Sequence, residues 1–471
     1  MALADAARRY GINDQRIGAT RPFQFVAGRT RRTRERGADR TVTKVLIAAV
    51  PVHGHVTPMR EIARNLVKRG HDVTFLTGSI FRESVERTGA RFAPLPGQAD
   101  LAGSLNALFP EREALRAGQE QIEFDIDLTI QGLPAQHAAV QELLAEDPSE
   151  PVVVVHETTF VGVWPVRLGA PGRRPAGVIG IGVIPVPINS IDHAPWGVRL
   201  PPDSSADGRA RNTFLNEVAA SALRAGSHRD LVTTLAELGT TEEPPLIYQG
   251  LVEIPDLFLQ LTIESMDYPR SDAPPHLRHV GTLPPGEPDD VELPGWWSEL
   301  TSASRVVLVT QGTLANSDLG RLIEPTLRAL ADLDALVIVT TGSDAVPAAL
   351  PANARVAEYV PFDLLLPHVD VLVSNGGYGG VHRALWHGVP MVLAGDTDDK
   401  AEVGALAEWA GAAINLGTGD PHEADVRKAV ETILTDPSRT KRTEELAAEC
   451  RSHDPYEAIA AAVEELARRE A

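Results

Sequence analysis

The sequence predicts an α/β protein made of two consecutive doubly wound domains, and three observations carry that prediction. Short runs of branched apolar residues occur at 45–50, 152–155, 306–309 and 336–339. Runs of this kind, without polar alternation, mark strands buried on both faces of a parallel sheet. Helical periodicity fills the intervals between them, and a proline-rich stretch divides the series in two.

Val45-Leu46-Ile47-Ala48-Ala49-Val50 reads as the first buried strand. Thr57 is the expected N-cap of the next helix, with Pro58 at its first position. Met59, Ile62, Ala63, Leu66 and Val67 then recur at helical spacing, and Gly70 ends the helix. A strand over 73–76 completes a βαβ unit, whose crossover is expected to be right-handed. Strands follow at 152–155, 177–181 and 257–261, with a helical and irregular stretch at 100–148 between the second strand and the third. From about 264 to 300 the chain is rich in proline, including Pro274-Pro275 and Pro284-Pro285, and reads as a linker.

The second series opens with a strand at 306–309. Leu319, Leu322, Ile323 and Leu327 follow in a helix that Pro325 either kinks or restarts. Further strands are expected at 336–339, 371–373 and 391–393, and Asp454 with Pro455 reads as the capped start of a final helix. The implied division is an arm at 1–40, a first domain at 41–265, a linker at 266–300, a second domain at 301–440, and terminal helices at 441–471 packing back toward the first domain. Ligands of doubly wound sheets sit beyond the carboxyl ends of the strands, so a site in a cleft between the two domains is expected.

Composition narrows the function. The 471 residues suit two or three domains, and 43% are hydrophobic, enough for large cores. Lys and Arg number 44 against 64 Asp and Glu, a net charge of −20, which opposes general nucleic-acid binding. A nucleotide is still admissible where backbone N–H groups converge. The single cysteine, Cys450, excludes an internal disulfide framework and a cysteine-rich metal site. No apolar run reaches about 18 residues, so no membrane insertion is expected. The first forty residues carry ten arginines and four acids and lack a signal-peptide core. They read as a disordered arm or an over-called start, with a targeting or docking arm as the alternative, and the cytoplasm is the default location.

The segment Ser374-Asn375-Gly376-Gly377-Tyr378-Gly379-Gly380 joins the strand at 371–373 to a helix running through Val381-His382-Arg383. Four glycines at a helix start carry an entropic cost. They make sense where the backbone approaches a ligand, because the unpaired N–H groups and the helix dipole favour an anion there. A plain tight turn with Asn375 as cap is the alternative. The spacing does not satisfy the dinucleotide fingerprint, and no GxxxxGK[ST] loop occurs.

Residues 374–390, ending His387-Gly388-Val389-Pro390, resemble the donor-binding motif of inverting glycosyltransferases that use UDP- or dTDP-sugars, the family-1-type natural-product enzymes, in an actinobacterial-like form. Further segments resemble that family in the right order. They are Val52-His53-Gly54-His55-Val56-Thr57-Pro58, Arg69-Gly70-His71-Asp72-Val73-Thr74, Thr310-Gln311-Gly312-Thr313, Tyr359-Val360-Pro361, and the loop from Gly395 to Lys400. The resemblance spans residue 43 to the end and implies the GT-B fold, two Rossmann-like domains facing across a cleft.

It also implies roles. His55 is the expected general base, with His53 as its near neighbour, since imidazole titrates near neutrality. The family carries an aspartate after the fourth apolar strand to orient the base. Glu157, one methylene longer, stands there, with Asp72 and His156 as weaker candidates. Thr313 and the N–H groups of Gly376, Gly377, Tyr378, Gly379 and Gly380 are expected to hold the diphosphate. Gln311, Gly312, Tyr359 and Val360 complete the donor contacts. Asn375 replaces a frequent histidine, and Phe362 a frequent glutamine. Arg383 replaces the ribose-binding glutamate, which makes a dTDP-deoxysugar plausible beside UDP-glucose. Asp399-Lys400 replaces the usual sugar-contacting Asp/Glu-Gln pair, unless Asp396, Asp398 and Asp399 form a surface charge cluster. Phe109, Trp164 and Trp196 are expected to line the pocket of a lipophilic acceptor such as a macrolide, polyketide or flavonoid. No cofactor is implied beyond the nucleotide-sugar co-substrate, and no metal. The rival readings are a nucleotide-sugar 2-epimerase on the same architecture and a non-catalytic donor-binding or activator protein.

Overall fold

Two parallel sheets organise the chain. The computed structural model describes residues 42–101, 108–109, 111–112, 115, 119–286, 292–312 and 318–469, and residues from Thr43 onward form one compact unit holding both sheets. The arginine-rich arm and Thr313 lie outside the described residues.

The first sheet contains β1 (Lys44–Ala48), β2 (Asp72–Thr77), β3 (Arg91–Pro94), β4 (Val152–Glu157), β5 (Gly177–Gly182), β6 (Leu257–Gln260) and β7 (Leu277–His279), in the order 3-2-1-4-5-6-7. Its connections carry α1 (His53–Lys68), α2 (Arg82–Glu86), α3 (Gln119–Ala145), α4 (Trp164–Arg167), α5 (Ala206–Ala225), α6 (Ser227–Glu237) and α7 (Ile247–Glu253). The second sheet contains β8 (Val306–Thr310), β9 (Leu336–Thr340), β10 (Ala354–Ala357), β11 (Val371–Ser374), β12 (Met391–Leu393) and β13 (Ala413–Asn415), in the order 10-9-8-11-12-13. With it go α8 (Ile323–Ala329), α9 (Phe362–Leu365), α10 (Tyr378–His387), α11 (Lys400–Trp409), α12 (Glu423–Thr435), α13 (Pro437–Ser452) and α14 (Pro455–Arg469).

Alternation within the central strands explains the apolar runs. Val45 and Ile47 of β1 enter a core with α1, while Leu46 and Ala48 enter the opposite core with α3. In β8, Val306 and Leu308 face α10, α11 and α13, and Val307 and Val309 face α8 and α12. Each strand buries both faces, so no polar alternation survives.

Strand order reverses between β1 and β4 in the first sheet, and between β8 and β11 in the second. These are the switch points where crevices open at strand carboxyl ends. His55 lies in the helix start that follows β1 and Glu157 at the end of β4; the loops after β8 and β11 carry Gln311 and the glycine turn.

Several expectations change. Helix α1 starts at His53 rather than after Thr57, with Val52 as N-cap and Pro58 inside it. Val56 extends the buried stripe of Met59 and Ile62 one turn upstream, and that burial outweighs the hydrogen bond Pro58 cannot donate. The proline-rich stretch is not purely a linker, because β7 adds to the first sheet beside β6. Pro325 restarts a helix: α8 begins at Ile323, and Pro325 falls in its first turn, where no donor is needed. Of the two terminal helices only α14 crosses to the first sheet, burying Ile459, Val463 and Leu466 there. Helix α13 stays with the second sheet through Leu446 and Cys450. Asp454 Oδ1 caps α14 by accepting from Glu457 N at 3.0 Å. No helix among the described residues is long and apolar enough to cross a membrane.

Candidate active site

His55 lies in the first turn of α1, not in a free loop, and its Nδ1 is 2.7 Å from Glu157 Oε2. Glu157 is the last residue of β4 and is 0% exposed. Burying a carboxylate demands partners, and it has several. Val50 N donates to Oε1 at 3.2 Å, Thr159 N donates to Oε2 at 2.8 Å, and Thr159 Oγ1 reaches both oxygens at 3.1 Å. The extra methylene relative to aspartate is what lets a side chain at the strand end span to α1.

Burial is the largest influence on Glu157 and raises its pKa, but the His55 charge and hydrogen bond, with the Thr159 and Val50 N–H groups, leave it below the usual value. For His55, burial pulls downward most strongly. The Glu157 carboxylate, with help from Asp399 and Asp125, overcomes it and raises the pKa. An ionised carboxylate only accepts, so the neutral imidazole carries its proton on Nδ1 and leaves the Nε2 lone pair available to take another.

The alternatives do not compete. His156 precedes Glu157 on the strand and so points to the opposite face, where its Nδ1 donates to Glu157 O at 2.8 Å. Asp72 pairs in register with Lys44, at the far end of β1 from His55. His53 packs edge-on against Phe81.

Across the cleft, the glycine turn opens α10. Gly377 is the N-cap, so Tyr378, Gly379 and Gly380 form the first turn, whose N–H groups have no helical acceptor. Asn375 is not the cap; its Nδ2 donates to Gln311 O and ties the loops after β8 and β11 together. Gly376 has φ +83°, a backbone state that favours glycine. A Cβ at Gly377, Gly379 or Gly380 would meet nothing within 4 Å. Packing therefore does not demand glycine at those three positions, and the open space lies against the helix N-terminus.

The turn is braced from behind. A Cβ on Gly395 would lie 1.9 Å from Asn375 O. Gly395→Ala is expected to displace the turn and raise the donor Kd by roughly tenfold or more, about 1.4 kcal/mol per factor of ten. Calorimetric titration with a nucleoside diphosphate checks this, and unchanged affinity would contradict the bracing role.

Several other expected donor contacts are reassigned. The Gln311 side chain caps α8, accepting from Leu322 N at 3.3 Å and Ile323 N at 3.0 Å, and its Nε2 donates to Asp318 O. Val360 is 1% exposed and belongs to the core, so only its backbone is offered to a ligand, whereas Tyr359 is 66% exposed. Gly312 has φ +73°. The Tyr378 phenol turns away from the glycine face toward Gln260. Arg383 pairs with Asp363 at 3.5 Å, and His387 approaches the same carboxylate at 3.4 Å. The acids at 396–399 are not a free surface cluster: Asp396 pairs with Arg321, and Asp398 with both Arg112 and Lys400. Asp399 precedes α11, and its burial, the leading influence, holds its pKa above the usual carboxylate range.

Trp164 is not a pocket wall. It is 0% exposed in the core beneath the first sheet, with Gly250 against its ring. Phe109 stacks edge-on with Phe124 of α3, and Trp196 lies against Tyr248 of α7. Sequence reasoning missed Arg112, Asp125 and Tyr248. Arg112 joins Asp125 of α3 to Asp398 across the cleft, and no local pattern signals a contact over such separations.

The loop bearing Trp196 is also tied across the cleft, because Gly197 N donates to Glu402 Oε2 at 3.0 Å. Burial pushes Glu402 up to about 7, against the Gly197 N–H, Arg270 and Arg199 and with Asp267. The folded state therefore holds a proton that the unfolded chain, with a value near 4.5, has released. This contribution to stability is full below the unfolded value and is lost as pH rises through about 7. Glu402→Gln cannot ionise and is expected to flatten that slope. Melting temperature against pH for both proteins checks this, and parallel curves would refute it.

Among the described residues no group of three or more His, Cys, Asp or Glu is arranged to hold a metal. A carboxylate-backed imidazole stands at one switch point and a glycine-rich helix start at the other, and two Rossmann-like sheets hold them. That combination defines a GT-B glycosyltransferase.

Comparison with known proteins agrees. Residues 324–466 match the family model of the erythromycin biosynthesis protein CIII-like C-terminal domain. The chain is 43% identical to UDP-glycosyltransferase 2 of Phaeomoniella chlamydospora, over 90% of this chain and 95% of the relative. It is 40% identical to 4'-demethylrebeccamycin synthase of Lentzea aerocolonigenes, over 84% and 92%. Among solved structures, the glycotransferase of kitacinnamycin superposes with a TM-score of 0.67 at 22% identity, covering 90% of this chain and 99% of that one. The chain belongs to the UDP-glycosyltransferases, the family-1-type natural-product glycosyltransferases, and is a hexosyltransferase acting on small molecules.

Proposed function

We propose that the enzyme transfers a hexose, with inversion, from a UDP-sugar to a hydroxyl of a lipophilic small molecule, with His55 as general base. The observation that carries this reading is the 2.7 Å contact between His55 Nδ1 and the buried Glu157 carboxylate. Nε2 takes the proton of the acceptor hydroxyl, and the ionised Glu157 stabilises the imidazolium that forms. The acceptor oxygen attacks the anomeric carbon on the face opposite the diphosphate. The bond from that carbon to the diphosphate oxygen breaks, and the charge left on the diphosphate falls at the N-terminus of α10.

A uridine donor is favoured by relatives that bear UDP-glycosyltransferase or UDP-glucosyltransferase names at 35–43% identity. A neighbour complexed with thymidine diphosphate is only 18% identical, so it speaks to the fold alone. Rings at Phe109, Phe124, Trp196 and Tyr248 suit an aromatic or macrocyclic acceptor.

The test is incubation with UDP-glucose or a dTDP-sugar and a panel of phenolic and macrocyclic alcohols, followed by NMR assignment of the anomeric configuration. A β-glycoside from the α-linked donor is expected. An α-product, or an epimerised nucleotide sugar with no acceptor present, would overturn the reading.

A further inference from the structure

The glycine turn is joined to the first sheet through Tyr378, the residue between Gly376 and Gly380 that has a side chain. The Tyr378 ring lies with its centroid 4.0 Å from that of the His382 imidazole, tilted by 39°, one turn further along α10. Its phenol oxygen lies 2.7 Å from Nε2 of Gln260, the last residue of β6. The same Nε2 donates to Ile184 O at 2.8 Å, in the loop after β5. Thr262 Oγ1 is 2.7 Å from His382 Nε2, and His382 Nδ1 is 2.8 Å from the Tyr378 carbonyl oxygen.

Valence fixes the direction of every bond. A carbonyl oxygen only accepts, so His382 carries its proton on Nδ1 and its bare Nε2 accepts from the Thr262 hydroxyl. The Tyr378 oxygen accepts from the Gln260 amide. Tyr378 is thus held at both ends, its phenol by Gln260 and its carbonyl by His382, which Thr262 holds in turn. Burial, the dominant influence, pulls His382 down to about 4, so the neutral imidazole that this arrangement requires is the form present at neutral pH.

Tyr378 is the first helical residue of α10, so its backbone belongs to the phosphate turn while its side chain grips the carboxyl end of β6. Glu157 and its partner His55 sit at the carboxyl end of that same sheet. Two hydrogen bonds, from Gln260 to the Tyr378 phenol and from Thr262 to His382, tie the first turns of α10 to the end of β6. We propose that Tyr378 is a positioning residue that registers the diphosphate turn against the His55–Glu157 dyad, with Gln260 fixing its phenol and the Thr262–His382 pair fixing its carbonyl. The proposal rests on the transfer mechanism above.

Tyr378→Phe keeps the ring and the backbone, and Thr262→Val keeps the shape of its side chain. Each is expected to lower kcat for transfer roughly 10- to 100-fold, the scale of a misplacement of about 1 Å. Affinity for UDP, measured by calorimetry, is expected to change by less than about twofold, because the turn offers the phosphates backbone groups. The double variant is expected to be no slower than the slower single variant, since both release the same residue. Near-native kcat in both single variants, or losses that multiply in the double variant, would overturn the positioning role. So would a fall in UDP affinity parallel to kcat, which would make Tyr378 a direct donor contact. Native turnover measured alongside separates the two readings. A native enzyme that transfers nothing sinks the mechanism, and an active one with indifferent variants sinks the positioning role alone.

Discussion

His55→Ala is expected to lower kcat for transfer by about 10²–10⁴-fold, the usual contribution of a positioned general base. Donor affinity should hardly change, because the groups proposed to hold the diphosphate sit at the other switch point, on α10. The variant leaves Glu157 paired with Val50 and Thr159, so the fold is expected to survive. Turnover with a phenolic acceptor and UDP affinity by calorimetry give the two readouts. Near-native turnover would remove His55 from the chemistry, whatever its geometry.

Glu157→Gln is expected to have the second-largest effect, because every neighbour of that carboxylate is a donor. Val50 N–H, Thr159 N–H, the Thr159 hydroxyl and the His55 ring all present hydrogens to it. An amide must turn its NH₂ toward one of them, leaving a buried clash worth roughly 1–3 kcal/mol. It also favours the wrong imidazole tautomer, for which losses of about 10⁴-fold are known in carboxylate-backed bases. The pH profile supplies an independent sign. Glu157 raises the His55 pKa, so removing its charge lowers that pKa. The acid limb of kcat/KM should therefore move to lower pH even as the plateau falls. A limb that stays in place would show that the pair does not set it. Glu157→Asp keeps the charge but shortens the reach by one methylene, and intermediate activity is expected.

The central strands were legible because each is buried on both faces. Val45 through Ala48 and Val306 through Val309 have no polar alternation to obscure them. The strands that sequence reading missed are short, and several lie at sheet edges. Arg91-Phe92-Ala93-Pro94, Leu277-Arg278-His279 and Ala354-Arg355-Val356-Ala357 are partly exposed and carry charge, so neither an apolar run nor a clean alternation marks them. Trp164 was misplaced for a related reason. A large aromatic near a strand end suits a pocket or a core equally well, and only the fit of Gly250 against its ring decides between them.

By itself, the sequence determined the two parallel sheets, the glycine turn at a helix start and the candidate base, because these depend on patterns spanning a few residues. The tertiary structure alone decided which groups meet. His55 and Glu157 are 102 positions apart, Tyr378 and Gln260 are 118 apart, and Arg112 and Asp398 are 286 apart. No local periodicity encodes such contacts. They arise where strand order reverses in each sheet and the carboxyl ends of both sheets are brought to one cleft.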